Sequence, residues 1–169
     1  MATALIMLLC VWMVSGCVVS QQTKEQRKAE EAVRAKMIKK ILPTKQFRVT
    51  LSEMYPRRGA PQSINRGYEV VVMGDRVESW IPYLGMPEVM QVGTTRGFRF
   101  TEAVKDYQVT NASADLSKVK VELDHEGNTY EYYFEIYSDG SAELEIRSRD
   151  RESIRYRGEM VLPEVNVSE

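Results

Sequence analysis

Apolar and polar positions alternate with a period of two through most of the chain, starting where Phe47, Val49 and Leu51 are separated by Arg48 and Thr50. That period puts successive side chains on opposite faces of a strand. Tyr68-Glu69-Val70-Val71-Val72 repeats it and leads into Gly74-Asp75, a two-residue hairpin signal. Pairing 73 with 76 sets Val72 against Val77, Val70 against Ser79 and Tyr68 against Ile81, which keeps one face continuous.

The last third reads as a meander. Val119, Val121 and Leu123 share one face, as do Tyr130, Tyr132, Phe134 and Ile136. With Glu126-Gly127 as the turn, Leu123 faces Tyr130 and Val121 faces Tyr132. At Ser138-Asp139-Gly140 a two-residue loop sets Ile136 against Glu143 and mixes core with solvent. A three-residue loop with Gly140 left-handed sets Ile136 against Ala142 and Phe134 against Leu144, and is predicted. It leaves Glu135 opposite Glu143, a small repulsion. An odd-length loop at Arg149-Asp150-Arg151 then pairs Ile146 with Ile154 and Leu144 with Tyr156. On the outer face it brings Glu145 to Arg155 and Glu143 to Arg157. Shorter strands are expected at Gly97 to Thr101 and Asp106 to Thr110.

Before Phe47 the period changes. Ala29, Val33, Met37 and Ile41 are spaced by four, with Ile38 and Leu42 beside them, which predicts an amphipathic helix. Thr23-Lys24-Glu25-Gln26 reads as its capping box, with Thr23 as N-cap, and Pro43 ends it. The expected fold is mostly β. An antiparallel meander of about eight or nine strands forms a partly closed barrel or sandwich, with one N-terminal amphipathic helix on an opening or face.

The first residues carry a different pattern. Ala2 to Val19 holds no charge, small residues follow the apolar run at Ser15 and Gly16, and a polar stretch begins at Ser20. Val14-Ser15-Gly16-Cys17 is similar to the bacterial lipobox, in which the leader is cut before a cysteine that then carries lipid. At about 18 residues the run is barely long enough for the competing reading, a membrane-spanning helix. Only Met1, Ala2 and Thr3 precede it, without the basic residues of an ordinary leader, which fits a start upstream of Met1. The expected organisation is a leader over 1–16, lipidated Cys17 with tether and helix over 17–43, a β domain over 44–162 and a tail over 163–169. Several acyl chains on Cys17 hold a protein on a membrane essentially permanently. Val18 follows the cysteine, not the Asp of an inner-membrane retention signal, and no acidic run follows. The expected address is the periplasmic face of the outer membrane.

Composition narrows the partners. Lys and Arg number 23 and Asp and Glu 24 in 169 residues, a balance without the long-range field that draws nucleic acid. Both cysteines, Cys10 and Cys17, lie in the apolar N-terminal stretch, so the body from Val18 onward has neither a disulfide nor a thiol nucleophile. His125 is the one histidine and falls in the predicted Asp124-His125-Glu126-Gly127 turn, where an exposed turn histidine is the expectation. Glu131, Glu135, Glu143 and Glu145 fall on the predicted outer face, where solvation accounts for them better than a glycosidase pair does. No metal, cofactor or catalytic residue is expected.

Speculative ligand or partner contacts remain. Trp80 falls on the outer face opposite Glu69, and Pro82, Gly85 and Pro87 constrain a loop that carries Tyr83, Leu84 and Met86. Tyr133 and Tyr137 point outward and could stack on a sugar or a partner. Arg57, in Arg57-Arg58-Gly59, could add anion contacts.

The body from about Phe47 to Val161 resembles a domain-of-unknown-function family of Bacteroidales-type exported lipoproteins. The resemblance lies in Gly59-Ala60-Pro61, Tyr68 and Val70 before Gly74-Asp75, Ile81-Pro82-Tyr83-Leu84-Gly85, and Gly97-Phe98-Arg99-Phe100. It continues in Tyr130-Glu131-Tyr132-Tyr133-Phe134 and Gly140-Ser141-Ala142. Family members usually have Phe-Gly where this chain has Leu84-Gly85. The resemblance implies a leader, an envelope address and a compact β domain, and it assigns no catalytic residue. These readings make the chain a non-enzymatic envelope lipoprotein that binds a partner or small ligand, or else an envelope assembly factor without a small ligand. A carboxylate-based hydrolase ranks last. Cys17→Ala is expected to release the protein from membranes, measured by fractionation. A variant that stays membrane-bound and unprocessed would instead indicate a spanning anchor.

Overall fold

The computed structural model describes residues 18–82 and 97–162. The leader, Cys17, Tyr83, Leu84, Met86 and the tail therefore lie outside the described residues. The chain divides into two compact units, Met1–Val33 and Arg34–Glu169. Helix α1 (Val18–Ile41) runs through that division and passes into a 3-10 turn, Leu42–Thr44. It does not start at Thr23, which lies inside it. Val18 to Gln22 contain neither Gly nor Pro, so each further residue adds a backbone hydrogen bond, and the local cap signal is overridden. Among the described residues no helix is long and apolar enough to cross a membrane.

In the larger unit the strands form one antiparallel sheet. They are β1 (Gln46–Tyr55), β2 (Gln62–Ser63), β3 (Glu69–Met73), β4 (Arg76–Ile81), β5 (Phe98–Asn111), β6 (Leu116–His125), β7 (Asn128–Tyr137), β8 (Ser141–Ser148) and β9 (Ile154–Val161). Neighbours follow chain order from β3 to β9, and β1 pairs with both β3 and β9. Eight strands thus close into a barrel, with β2 an appendage on β1. Closure, rather than a partial barrel or sandwich, removes the unpaired edges that an open sheet of this size would expose.

The predicted registers hold in detail. Val72 faces Val77 and Val70 faces Ser79. Leu123 faces Tyr130 and Val121 faces Tyr132. Gly140 has φ 92°, and Ile136 faces Ala142 with Glu135 opposite Glu143. Ile146 faces Ile154. One expectation fails: the two short strands around 97–110 are a single strand, β5. A bulge between Val104 and Asp106 gives it one extra residue. Phe100, Glu102 and Val104 lie on one parity and Tyr107 and Val109 on the other, so the alternation breaks without the strand ending.

The inward residues of the strands form one core, with Tyr130, Tyr132, Phe134 and Tyr156 among its largest buried side chains. Phe47 meets Phe134 edge to face at 5.4 Å between ring centroids, a geometry worth about 0.5–1.5 kcal/mol beyond area burial. Ser79 and Tyr132 share a buried hydrogen bond of 2.9 Å. At the end where β1 begins, Ile38 and Leu42 enter the core, Tyr107 donates to the Leu42 carbonyl, and Arg34 donates to the Asp139 carbonyl. The helical stripe packs through its last turns, as expected, with Ile41 beside the core. Ile38 and Leu42 are buried, whereas Ala29 and Val33 are exposed.

Barrel closure depends on Gly158. A Cβ there would stand 1.8 Å from the Thr50 carbonyl oxygen of β1, closer than any side-chain atom can approach. Opposite it the β1 register shifts between Leu51 and Glu53, which is why Leu51 and Met54, three apart, both point inward. Gly158→Ala is expected to lose about 1–3 kcal/mol or more, read as a lower denaturant midpoint. An unchanged midpoint would mean that the two strands can separate freely at this point.

The buried tyrosines set an alkaline limit. Burial pushes Tyr107 up to about 12 and moves Tyr132 upward as well, its bond to Ser79 opposing only part of the shift. The folded state therefore holds these protons more tightly than the unfolded chain, whose tyrosines titrate near about 10. Their stabilisation is complete below that value and is lost as pH rises from about 10 towards about 12. The urea midpoint is expected to stay level up to the lower bound and then fall, with a shallower fall in Tyr132→Phe. A level midpoint across the whole window would contradict this account.

Candidate functional site

The outer face of β5 to β9, continued onto β1, carries an ordered field of charges. Register alone lays it out in rows. One row crosses Tyr55, Arg155, Glu145, Tyr133, Lys120 and Gln108. A second crosses Glu53, Arg157, Glu143, Glu135, Lys118 and Thr110. A third crosses Arg147, Glu131, Glu122 and Asp106. The like-charged neighbours Glu135 and Glu143 are each drawn aside, Glu135 by Lys118 at 2.6 Å and Glu143 by Arg157 at 3.2 Å. Glu122 and Glu131, also neighbours, share Lys120 at 3.7 and 2.6 Å.

Glu145 does not form the ion pair expected with its cross-strand neighbour Arg155. Arg147, two residues along the same strand, takes both of its oxygens, Nε to Oε1 and Nη2 to Oε2, each at 2.9 Å. A forked guanidinium on the same strand face offers two parallel bonds in fixed geometry, which outcompetes one contact across the ladder. The Arg147 hydrogen bond holds the Glu145 carboxyl below its ordinary range, and the bond from Lys120 does the same for Glu131. Arg157 is raised by its bond to Glu143. All of these groups keep some contact with solvent, so the bonds fix orientation more than they add stability.

Two shallow grooves cut this face. One, of about 490 Å³, is lined by Tyr55, Arg57, Glu143, Glu145, Arg155 and Arg157 among others. The second, of about 450 Å³, is lined by Lys118, Lys120, Tyr133, Glu135, Arg147 and Arg155 among others. Glu143, Glu145 and Arg155 line both, so the two are contiguous.

The candidates named from sequence scatter over the barrel. Tyr133 and Arg57 lie on the grooved face. The Tyr133 ring has Arg147 at 4.6 Å and Lys120 at 5.8 Å from its centroid, so a stacking ligand has to displace a cation. Tyr137 faces outward at the far end of β7, beside Leu116, and lines neither groove. Trp80 is 47% exposed on β4, opposite Glu69 as expected, with Arg99 at 4.9 Å over its ring. β4 is separated from β7 by two strands, so the structure does not bring Trp80 to Tyr133. Tyr83, Leu84 and Met86 lie outside the described residues.

His125 is not the exposed turn residue expected. It ends β6 on the inward parity, stacks on Phe100 at 4.0 Å between centroids, and bonds Glu102 through Nδ1 at 2.7 Å. The extra residue in β5 is what turns Glu102 towards it. Among the described residues no three His, Cys, Asp or Glu side chains are placed to hold a metal ion.

Lys118, Lys120 and Arg147 carry no sequence signal as site residues, and Arg155 is expected from sequence only as the cross-strand partner of Glu145. The period-two pattern does put them on the outer face, but only the full ladder shows which charges neutralise one another.

Residues 27–160 match DUF4251, a domain of unknown function. A search among curated proteins finds no match. Among solved structures, a crystal structure of a DUF4251 family protein from Bacteroides eggerthii superimposes with a TM-score of 0.60 at 14% identity. The match covers 79% of this chain and 90% of that one, a likeness of fold.

Proposed function

The chain belongs to DUF4251, a family defined without a function, and from that premise we propose that it is a non-catalytic binding module of the cell envelope. In this reading Cys17 carries lipid, the charged stretch that follows is a spacer, and the protein faces the periplasm from the outer membrane. The grooved face of β5 to β9 engages a protein partner.

The observation that carries the reading is the pair of contiguous grooves on the charged outer face, where Glu143, Glu145 and Arg155 line both. A face of alternating, oriented charges suits a partner with complementary charges, where such groups set orientation and encounter rate more than raw affinity. The exposed Trp80 on β4 offers a second surface for the same partner.

Photo-cross-linkers placed at Gln108 and Thr110 in the native envelope, read by mass spectrometry, test this. A discrete adduct is expected from both positions, absent from a probe at Glu78 on β4 and lost on Lys120→Glu. Adducts of equal yield from Glu78, or adducts indifferent to Lys120→Glu, would overturn the reading.

A further inference from the structure

We infer that the groove beside β9 contains an oxyanion-binding site built on Arg155 and Arg57, taking a carboxylate or phosphate group. This rests on the grooved face being the binding surface and names the chemistry it recognises.

The argument is an inventory of charge. Three arginines, Arg57, Arg155 and Arg157, line this groove with two glutamates, Glu143 and Glu145. Both glutamates are already engaged. Glu145 gives both oxygens to Arg147, and Glu143 accepts from Arg157 at 3.2 Å. Arg157 is held further by Glu53 at 3.9 Å and lies 5.3 Å from the Tyr55 ring centroid. Arg57 has a single long contact, Glu152 at 3.9 Å, and is well exposed. Among the described residues Arg155 makes no ion pair within 4.0 Å, although it stands directly between Tyr55 and Glu145 in the ladder.

Arg155 therefore lines a groove whose two glutamates, Glu143 and Glu145, already hold hydrogen-bonded arginines, and it acts on Glu145 only at longer range. A guanidinium fork matches a carboxylate or phosphate through two parallel bonds. Ser153, which also lines the groove, adds a hydroxyl donor. The pairing of Glu145 with Arg147 is what keeps Arg155 available. Without Arg147, Glu145 is the nearest acceptor across the ladder and would capture Arg155 itself.

The test uses the full chain in detergent micelles, with arginine Nε signals followed by NMR during titration with inorganic phosphate and, separately, with acetate. Phosphate is expected to shift Arg155 and Arg57 selectively, with Arg155→Gln weakening binding at least tenfold and Arg48→Gln leaving it unchanged. Arg147→Gln is expected to weaken it too, by releasing Glu145, and Arg147→Gln with Glu145→Gln to restore it. That rescue separates competition for Arg155 from a general loss of positive charge. A stronger response to acetate than to phosphate assigns the ligand group as a carboxylate, and the reverse assigns it as a phosphate. Uniform shifts of all arginines, parent-like binding by Arg155→Gln, or absence of rescue would overturn the site. Phosphate binding at Arg155 without cross-links from Gln108 or Thr110 would sink the partner reading alone. Cross-links indifferent to Arg155→Gln, with no phosphate response, would sink the anion site alone.

Discussion

Two backbones meet at Gly158 and Thr50 more closely than any β-carbon allows, and the barrel exists because of that approach. The ladder between β9 and β1 joins the last strand to the first. With it, every long strand has a partner on both sides and the inward side chains share one enclosed core. Without it, the same meander is an open sheet with two edges and half-covered aromatic rings. The neighbouring register shift in β1 belongs to the same constraint, because it lets Leu51 and Met54 both face inward on either side of the contact.

Closure also decides what the outside can do. A curved, closed sheet holds outward side chains in a fixed grid, so charges on adjacent strands have set neighbours. Glutamates that would repel one another are drawn apart by lysines and arginines on neighbouring strands, and the result is a face of mixed, locally oriented charge. Arg155 is the exception on that face. Its natural partner is occupied by Arg147, which turns an ordinary surface arginine into an uncommitted donor at the junction of two grooves.

The helical segment from Arg34 onward serves the same body by closing one end of the barrel with Ile38 and Leu42. At the other end of the strands, His125, Glu102 and Phe100 make a compact polar and aromatic contact on the inward parity of β5 and β6. Both features place polar and apolar groups where the barrel wall alone would leave backbone or ring edges exposed. Neither changes the proposal that binding belongs to the outer face.

Local pattern was enough for the β character, the hairpin registers, the three-residue turn at Gly140, and the inward setting of Tyr130, Tyr132 and Tyr156. Each of these follows from a period of two and from turn geometry, which act within a few residues. Local pattern misread β5, because a bulge breaks the alternation that marks a strand, and it misplaced His125, whose neighbours come from that same strand. The pairing of Glu145 was equally out of reach. Arg147 and Arg155 are both suitable by spacing, and only the three-dimensional ladder sets one fork against both oxygens and leaves the other beyond ion-pair distance. Away from the bulges in β1 and β5, sequence by itself determined which face a side chain takes, since that is decided by the backbone's own repeat. Tertiary structure decided closure and the choice among competing charged partners, because both depend on distances between segments that the chain brings together only when it folds.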